Sequence, residues 1–470
     1  MKRKGLYLAL YGIMSLAMIT GCKGEESHKT VEKDTSKQTE AQDNSESKDD
    51  DKESVKENIV VIQDKDIYDG INRIAISICG NPETQIGLSW YTPNTGDITY
   101  GNDVELFKAS TMELVDIDYE VDTGEAEYDE DSMYHQTVLS GLESGTEYRF
   151  RIGDKASNQW SDYGSFKTAS ENMSEFSFIA VTDTQSEHLA DAYFSTATFK
   201  KALEVVEDSA FIMHSGDFVE DGDEEELWIA QMNTAQDILM NNIIAPAVGN
   251  HEEDEHSWWQ HFKIPHTNDH KTTGAYYSYD YGNVHFVVLD TNKDNEEGTS
   301  YVDDEQLQWL KDDLKAAKDN GSWIIVNMHK GLYTVGEHSD DDKFMGDEGA
   351  RKRVGQVFEE YGVDLVIQGH DHCPSVTKPI KDGKVSDDGI IYINTGAAGA
   401  KTYELDTDLM SKEYYDLFDY MDKGEREDDT YQNFAIVDVS EEKLSVKMYE
   451  LNMLKNMDNL YIIYELEIIR

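Results

Sequence analysis

Basic residues are scarce in this chain. Its 470 residues include 41 lysines and arginines against 96 aspartates and glutamates, a formal net charge of −55. A surface of that sign repels nucleic acid and anionic headgroups and attracts cations, so no nucleic-acid binding is expected. Cysteine is nearly missing too, with three in the whole chain. One of them, Cys22, falls in a targeting segment. That leaves Cys79 and Cys373, which could form one disulfide; the sequence does not decide whether they do, and two free, partly buried thiols are the expectation. Beyond the N-terminal segment no stretch is long and apolar enough to span a bilayer. Internal repeats are absent as well.

What is present suffices for sizeable cores, with 39% hydrophobic and 10% aromatic residues. The length predicts two or three domains. Residues 1–22 read as a signal peptide. Lys2, Arg3 and Lys4 form a positive start, "LYLALYGIMSLAMI" forms a short apolar core, and "ITGC" ends it. A small residue directly before a cysteine resembles the bacterial lipobox. Cys22 would then become the lipidated first residue, which predicts an extracytoplasmic protein tied to the membrane by a lipid anchor. An ordinary signal peptide or an uncleaved anchor is the other reading of the segment. Residues 23–58 hold no aromatic and almost nothing apolar. They read as a disordered, charged linker that keeps the folded part away from the membrane.

From 59 to 170 the pattern is all-β. Ile74, Ile76 and Ile78 alternate with smaller or polar residues, as do Ile86, Leu88 and Trp90, and Tyr148, Phe150 and Ile152. Period two predicts strands with one buried face, and "TPNTGD" and "LESGTE" punctuate them as turns. The expected unit is a small β-sandwich. "LSGLESGTEYRFRIGD" resembles a fibronectin-type-III strand pair, with Tyr148 placed like a tyrosine corner.

From 174 to 465 apolar strands alternate with amphipathic helices, the signature of an α/β layered domain. The strands read are "FSFIAVTD", "AFIMHSGD", "IIAPAVGN", "VHFVVLD", "WIIVNMH", "VDLVIQGH" and "GIIYINTG"; helical periodicity appears in "STATFKKALEVVED", "DDEQLQWLKDDLKAAKDN" and "RKRVGQVFEEYG". Antiparallel strands close the chain. Residues of metal-ligand type sit where the strands stop: Asp183 and Gln185, Asp217, Asn250 and His251, His329, then His370 and His372. Open α/β sheets place their sites at the carboxyl ends of strands. One such aspartate or asparagine would be ordinary turn chemistry; the whole series is not.

The ordered set Asp-x-x, Gly-Asp, Gly-Asn-His-Glu, His, Gly-His-x-His resembles the calcineurin-like metallophosphoesterase family. The β-sandwich ahead of it is similar to the N-terminal domain of purple acid phosphatases and their bacterial relatives. The resemblance implies an αββα four-layer sandwich behind the fibronectin-III-like one. It also implies two transition-metal ions (Fe, Zn or Mn) and hydrolysis of small phosphorylated substrates by a metal-bridging hydroxide. One ion would take Asp183 and His372, with Gln185 as an extra ligand. The other would take Asn250, His329 and His370, with Asp217 between them. His251 would protonate the leaving oxygen or steady the phosphoryl group. Many members carry histidine where this chain has Gln185. Purple acid phosphatases carry a tyrosine where this chain has Glu220, so a colourless relative is expected.

His338 is equally a substrate contact or a surface histidine. His214 reads as a core residue, and Asn292 as an orienting group. His256, His261, His266 and His270 read as a variable loop lining the cleft. A phosphomonoesterase of acid-phosphatase type is the first expectation. A phosphodiesterase or nucleotidase on the same site, and a non-catalytic cell-surface binding protein, are the alternatives.

Overall fold

The computed structural model describes residues 70–470 apart from 186–187, 189, 253–256, 266–274, 404, 406–407, 423–430 and 453–458. The signal peptide with Cys22, the linker, and His256, His266 and His270 lie outside the described residues. No helix among the described residues is long and apolar enough to cross a membrane. Cys79 and Cys373 are both buried and form no disulfide with each other.

The N-terminal part is the expected sandwich. Asn72–Ser77, Gln85–Pro93, Asp122–Ala126 and Asp129–Ser140 lie in one sheet. Asp103–Lys108, Glu113–Val115, Glu147–Asp154, Gln159–Trp160 and Gly164–Lys167 form the other. Val104, Leu106, Tyr148, Phe150 and Ile152 meet Ile76, Leu88 and Trp90 in one core. Tyr148 is buried, and its hydroxyl accepts the backbone N–H of Glu143 at 2.9 Å. That bond back across the turn is the tyrosine corner.

The C-terminal part packs two sheets face to face. Parallel strands Phe176–Val181, Ile212–His214 and Ile243–Pro246 continue into the antiparallel strands Tyr431–Val439, Lys443–Asn452 and Leu460–Ile469. The facing sheet runs in the spatial order Tyr277–Tyr281, Val284–Leu289, Trp323–Lys330, Leu365–Gly369, Ile391–Asn394, Ser375–Thr377, Phe418–Met421. Phe178, Phe211 and Phe286 lock the two together with ring centroids 5.1 to 5.4 Å apart, a spacing at which edge and offset contacts are favourable. Helix Ala192–Val205 covers the outside of the first sheet, with Phe199 and Ala202 on Ile179, Ile212 and Ile436. Helices Asp304–Asn320 and Ala350–Tyr361 cover the second. Asp303 caps the former by accepting from Gln306 N at 2.7 Å. Gly321 and Gly362 end the two helices at φ 74° and 77°, a turn that glycine makes without a Cβ clash. The result is the αββα arrangement.

Two features differ from the sequence expectation. Asn72–Ser77 pairs in parallel with Ile243–Pro246, with Ile76 opposite Ile243, so one ten-stranded sheet runs through both domains. In addition, of the three strands read as half-exposed, Glu147–Asp154 alternates as expected, while Asn72–Ser77 and Gln85–Pro93 are buried on both faces. Their polar side chains are covered by residues 257–265: Ser77 donates to the carbonyl of Lys263 and Ser89 to that of His261, each at 2.5 Å. Alternation reports which side chains are apolar; it does not report that a neighbouring segment will supply acceptors for the polar ones.

Candidate metal centre

Three of the strands that feed the site, Phe176–Val181, Ile212–His214 and Leu365–Gly369, are followed by a backbone kink. Asp183, Asp217 and His370 have φ of 53°, 55° and 72°. Non-glycine residues seldom hold that left-handed region, and where they do the surroundings enforce it. The kinks turn three side chains off their strands towards one point. The glycines in the same motifs are there for room. A Cβ on Gly249 would lie 2.1 Å from both N and Oδ1 of Asp217, one on Gly216 2.6 Å from the His329 ring, and one on Gly369 2.0 Å from Thr182 Oγ1.

The result is a cluster in which Asp183, Asp217 and His372 offer ligand atoms within 4.8 Å of one another, as do Asp217, His329 and His370. Asp217 belongs to both groups. Asn250 Oδ1 lies 2.9 Å from His329 Nε2, and the backbone N–H of His370 donates to the Asp183 carboxylate at 3.1 and 3.2 Å. The sequence-predicted ligands therefore come together.

The donor chemistry fits cations. His329 gives its Nδ1–H to the carbonyl of Ser215 at 2.8 Å, and its Nε2 faces Asn250 Oδ1 at 2.9 Å and Asp217 Oδ2 at 3.1 Å. Lone pairs thus converge with no proton among them unless the imidazole takes a second one. Burial opposes that proton, but the charge and hydrogen bond of Asp217 override it and push the His329 pKa up to about 9. A divalent ion satisfies the same demand. His372 repeats the pattern: its Nδ1 lies 2.6 Å from the Lys401 carbonyl and its Nε2 3.4 Å from Asp183 Oδ1. Burial again opposes charging, and Asp183 raises the pKa. Asp217 moves the opposite way: burial would raise its pKa, but the charge of His329 and its hydrogen bond hold it well below the usual carboxylate range.

Gln185 is buried beside this cluster, with Nε2 3.4 Å from Asp217 Oδ2 and 3.3 Å from His372 Nε2. Its Oε1 finds no hydrogen-bond partner among the described residues. Amide O and N are assigned from their neighbours, and exchanging them would turn a neutral oxygen ligand towards the centre. His251 sits at the opening, 24% exposed, with Nδ1 2.5 Å from the Glu220 carbonyl and Nε2 3.8 Å from Asp217 Oδ2. Its backbone N–H donates to Asp217 Oδ1 at 3.0 Å.

The weaker sequence readings divide. His338 stacks on His370 with centroids 4.0 Å apart and is 34% exposed, so it borders the centre. Asn292 donates from Nδ2 to the Gly249 carbonyl at 2.8 Å, next to Asn250. His214 is a core residue, fully buried and 2.8 Å from Thr184 Oγ1. His261 corrects the expectation of a cleft-lining loop. It lies in helix Ser257–His261, fully buried, stacked at 4.1 Å on Trp228 and 3.0 Å from Glu225 Oε1.

Sequence reasoning overlooked Glu252, Asp371 and Tyr403. Glu252 is fully buried and accepts from the backbone N–H groups of Phe218, Val219 and Gly249 at 2.6, 3.0 and 2.8 Å, which braces the loops that carry Asp217 and Asn250. Asp371 accepts from Gly336 N and His338 N at 3.1 and 3.0 Å. Tyr403 stacks on His372 at 4.2 Å. The place of Glu252 in "GNHE" was a signal for it; the other two carried none.

Comparison with known proteins agrees with this arrangement. Residues 176–374 match the calcineurin-like phosphoesterase family, and residues 71–168 match the purple acid phosphatase N-terminal domain. Purple acid phosphatase 22 of Arabidopsis thaliana is 24% identical over 275 residues, covering 56% of this chain and 58% of that protein. Acid phosphatase type 7 of Homo sapiens is 26% identical over 215 residues, covering 40% and 48%. The chain thus spans about three-fifths or less of the length of these curated relatives. The structure of purple acid phosphatase PPD1 from yellow lupin (Lupinus luteus) seeds shares the fold, with a TM-score of 0.70 at 18% identity over 86% of this chain and 75% of that one. The chain thus contains a calcineurin-like phosphoesterase domain at residues 176–374 and, at residues 71–168, a domain matching the N-terminal domain of the purple acid phosphatases.

Proposed function

We propose that this chain is a metal-dependent phosphoester hydrolase, acting first on phosphomonoesters, and that it works outside the cytoplasm on a lipid anchor at Cys22. The observation that carries the catalytic reading is the sharing of Asp217 by two potential ligand groups, one with Asp183 and His372, the other with His329 and His370. Gln185 adds to the first group and Asn250 to the second. Two transition-metal ions held there supply positive charge for the phosphoryl oxygens and a nucleophile at neutral pH. The relatives' names, acid phosphatases, favour a monoester over a diester.

The chain's own residues do the rest. His251, oriented through Nδ1 by the Glu220 carbonyl, presents Nε2 to the opening and, when protonated there, gives that proton to the leaving oxygen. His338, held by Asp371 through its backbone and by the His370 ring, borders the space a phosphate group would enter and contacts it. The buried carboxylates around the ions keep their geometry fixed before substrate arrives.

The test uses the purified full chain, stripped of metal and reloaded with Mn, Zn or Fe. Turnover of p-nitrophenyl phosphate above that of its bis ester, lost in Asp217→Asn and reduced by about 10²-fold in His251→Ala, is the expected outcome. A preference for the bis ester would make it a diesterase. No turnover with any metal by the folded protein would leave a binding protein. Mass spectrometry of the membrane-extracted protein checks the anchor: an acylated Cys22 as the first residue is expected, and a chain with an unmodified Cys22 would remove the lipidation reading.

A further inference from the structure

Glu220 stands where the purple relatives were expected to differ, and its side chain is engaged. Its carboxylate meets Lys401 Nζ at 3.1 Å, with the second oxygen at 3.4 Å. Both residues belong to segments whose backbones hold an imidazole of the site. The Glu220 carbonyl faces His251 Nδ1, and Gly222 N donates to the His251 carbonyl at 2.9 Å. The Lys401 carbonyl faces His372 Nδ1, the Tyr403 ring stacks on His372, and the Tyr403 carbonyl accepts from Cys373 Sγ at 3.2 Å. One segment follows the strand Ile212–His214 and the other follows Ile391–Asn394, which lie in different sheets. Among the described residues no backbone hydrogen bond joins these two segments directly, though both bond the 182–185 turn; the ion pair links their side chains.

We infer that the Glu220–Lys401 ion pair is a latch that positions His251 and His372 together, so that the proton donor and the ligand of one ion are set by a single contact at the mouth of the site. Neither side chain is a catalytic residue; each acts through a carbonyl. Glu220 is 22% exposed and Lys401 30%, so the pair is too wet to contribute much to global stability. What it fixes is orientation, to which metal affinity and proton transfer are sensitive. The inference rests on the phosphoesterase reading.

The test compares wild type, Glu220→Gln, Lys401→Met and the charge-reversed pair Glu220→Lys with Lys401→Glu, all as the full chain. The readouts are Zn2+ affinity of the stripped protein by chelator competition, kcat and KM, and Tm. Each single variant is expected to bind Zn2+ about 10-fold more weakly and to lose kcat more than KM, with Tm little changed. The reversed pair should recover most of both losses. Lys443→Met, which breaks an ion pair with Glu467 far from the site, is the control for nonspecific loosening and should leave Zn2+ affinity alone. Single variants that match wild type in Zn2+ affinity and kcat would overturn the latch while leaving the phosphoesterase reading intact. So would losses that the Lys443→Met control reproduces, or a reversed pair no better than the singles. Wild type that binds no Zn2+, Mn2+ or Fe2+ would overturn both.

Discussion

Gly249 shows how little slack the centre has. A methyl group there would sit 2.1 Å from Asp217 N and Oδ1, contacts with a backbone and a carboxylate that are themselves held by Glu252 and His251. Gly249→Ala is therefore expected to push Asp217 off its position, with a drop in kcat of about 10²-fold and a stability loss of about 1–3 kcal/mol. Unfolding and turnover measured on the same preparation check both; an unchanged kcat would mean that the loop gives way harmlessly. At this scale the cluster was legible, because Asp183, Asp217, Asn250, His329, His370 and His372 each sit at a strand end in a recognisable order, and the structure brings them together. His261 was not. Nothing in "SWWQHF" says that its ring will be roofed by Trp228 and paired with a glutamate from another helix, so it read as one more loop histidine.

The longer elements were legible and several short ones were not, for a physical reason. Helix Asp304–Asn320 turns a polar face to water and shows its period. Helix Glu225–Thr234 has Leu227, Trp228, Ile229, Ala230, Gln231 and Met232 buried in succession, so no polar stripe marks it. Strand Tyr277–Tyr281, also unread, leads to a test. It is tied to its neighbour and to helix Asp304–Asn320 by His285, whose two ring nitrogens lie 2.8 Å from Asp280 and Asp313. Burial alone would lower its pKa, but the two carboxylates outweigh that and raise it to about 9. Below an unfolded value of about 6.5 both states carry the proton and the stabilisation is complete. As pH rises towards 9 the unfolded chain releases its proton first, and the contribution falls away. His285→Gln should thus cost about 1–2 kcal/mol more at pH about 6 than at pH about 9.5, a figure reduced because Asp280 is largely exposed. Urea unfolding of both proteins at the two values decides it; a pH-independent difference would mean that the histidine is held by packing alone.

Across the whole molecule, pairing between Asn72–Ser77 and Ile243–Pro246 joins the two domains into one sheet. No local pattern announces such a contact, since it depends on two strand edges meeting from distant parts of the chain. Its consequence is mechanical: the sandwich is paired along the strand Ile243–Pro246 that leads to Asn250 and His251. Charge was legible at once, and it predicts kinetics. On the proposed reading a chain of net charge −55 takes an anionic substrate, so its long-range field would slow the approach of a phosphate ester, while ions held in the centre would act only at short range. Salt weakens the first effect, with a screening length of about 8 Å at 0.15 M, and leaves ligands buried in the centre almost untouched. kcat/KM for p-nitrophenyl phosphate should then rise by about 2–5-fold from low to moderate ionic strength, the reverse of a positively steered enzyme. kcat should stay constant, because a bound substrate has already crossed the field. Self-repulsion is screened by the same salt, so Tm should rise in parallel. Steady-state rates over a sodium chloride series separate the two fields: a falling kcat/KM would show that the local charge of the metal centre, and not that of the surrounding protein, governs the encounter.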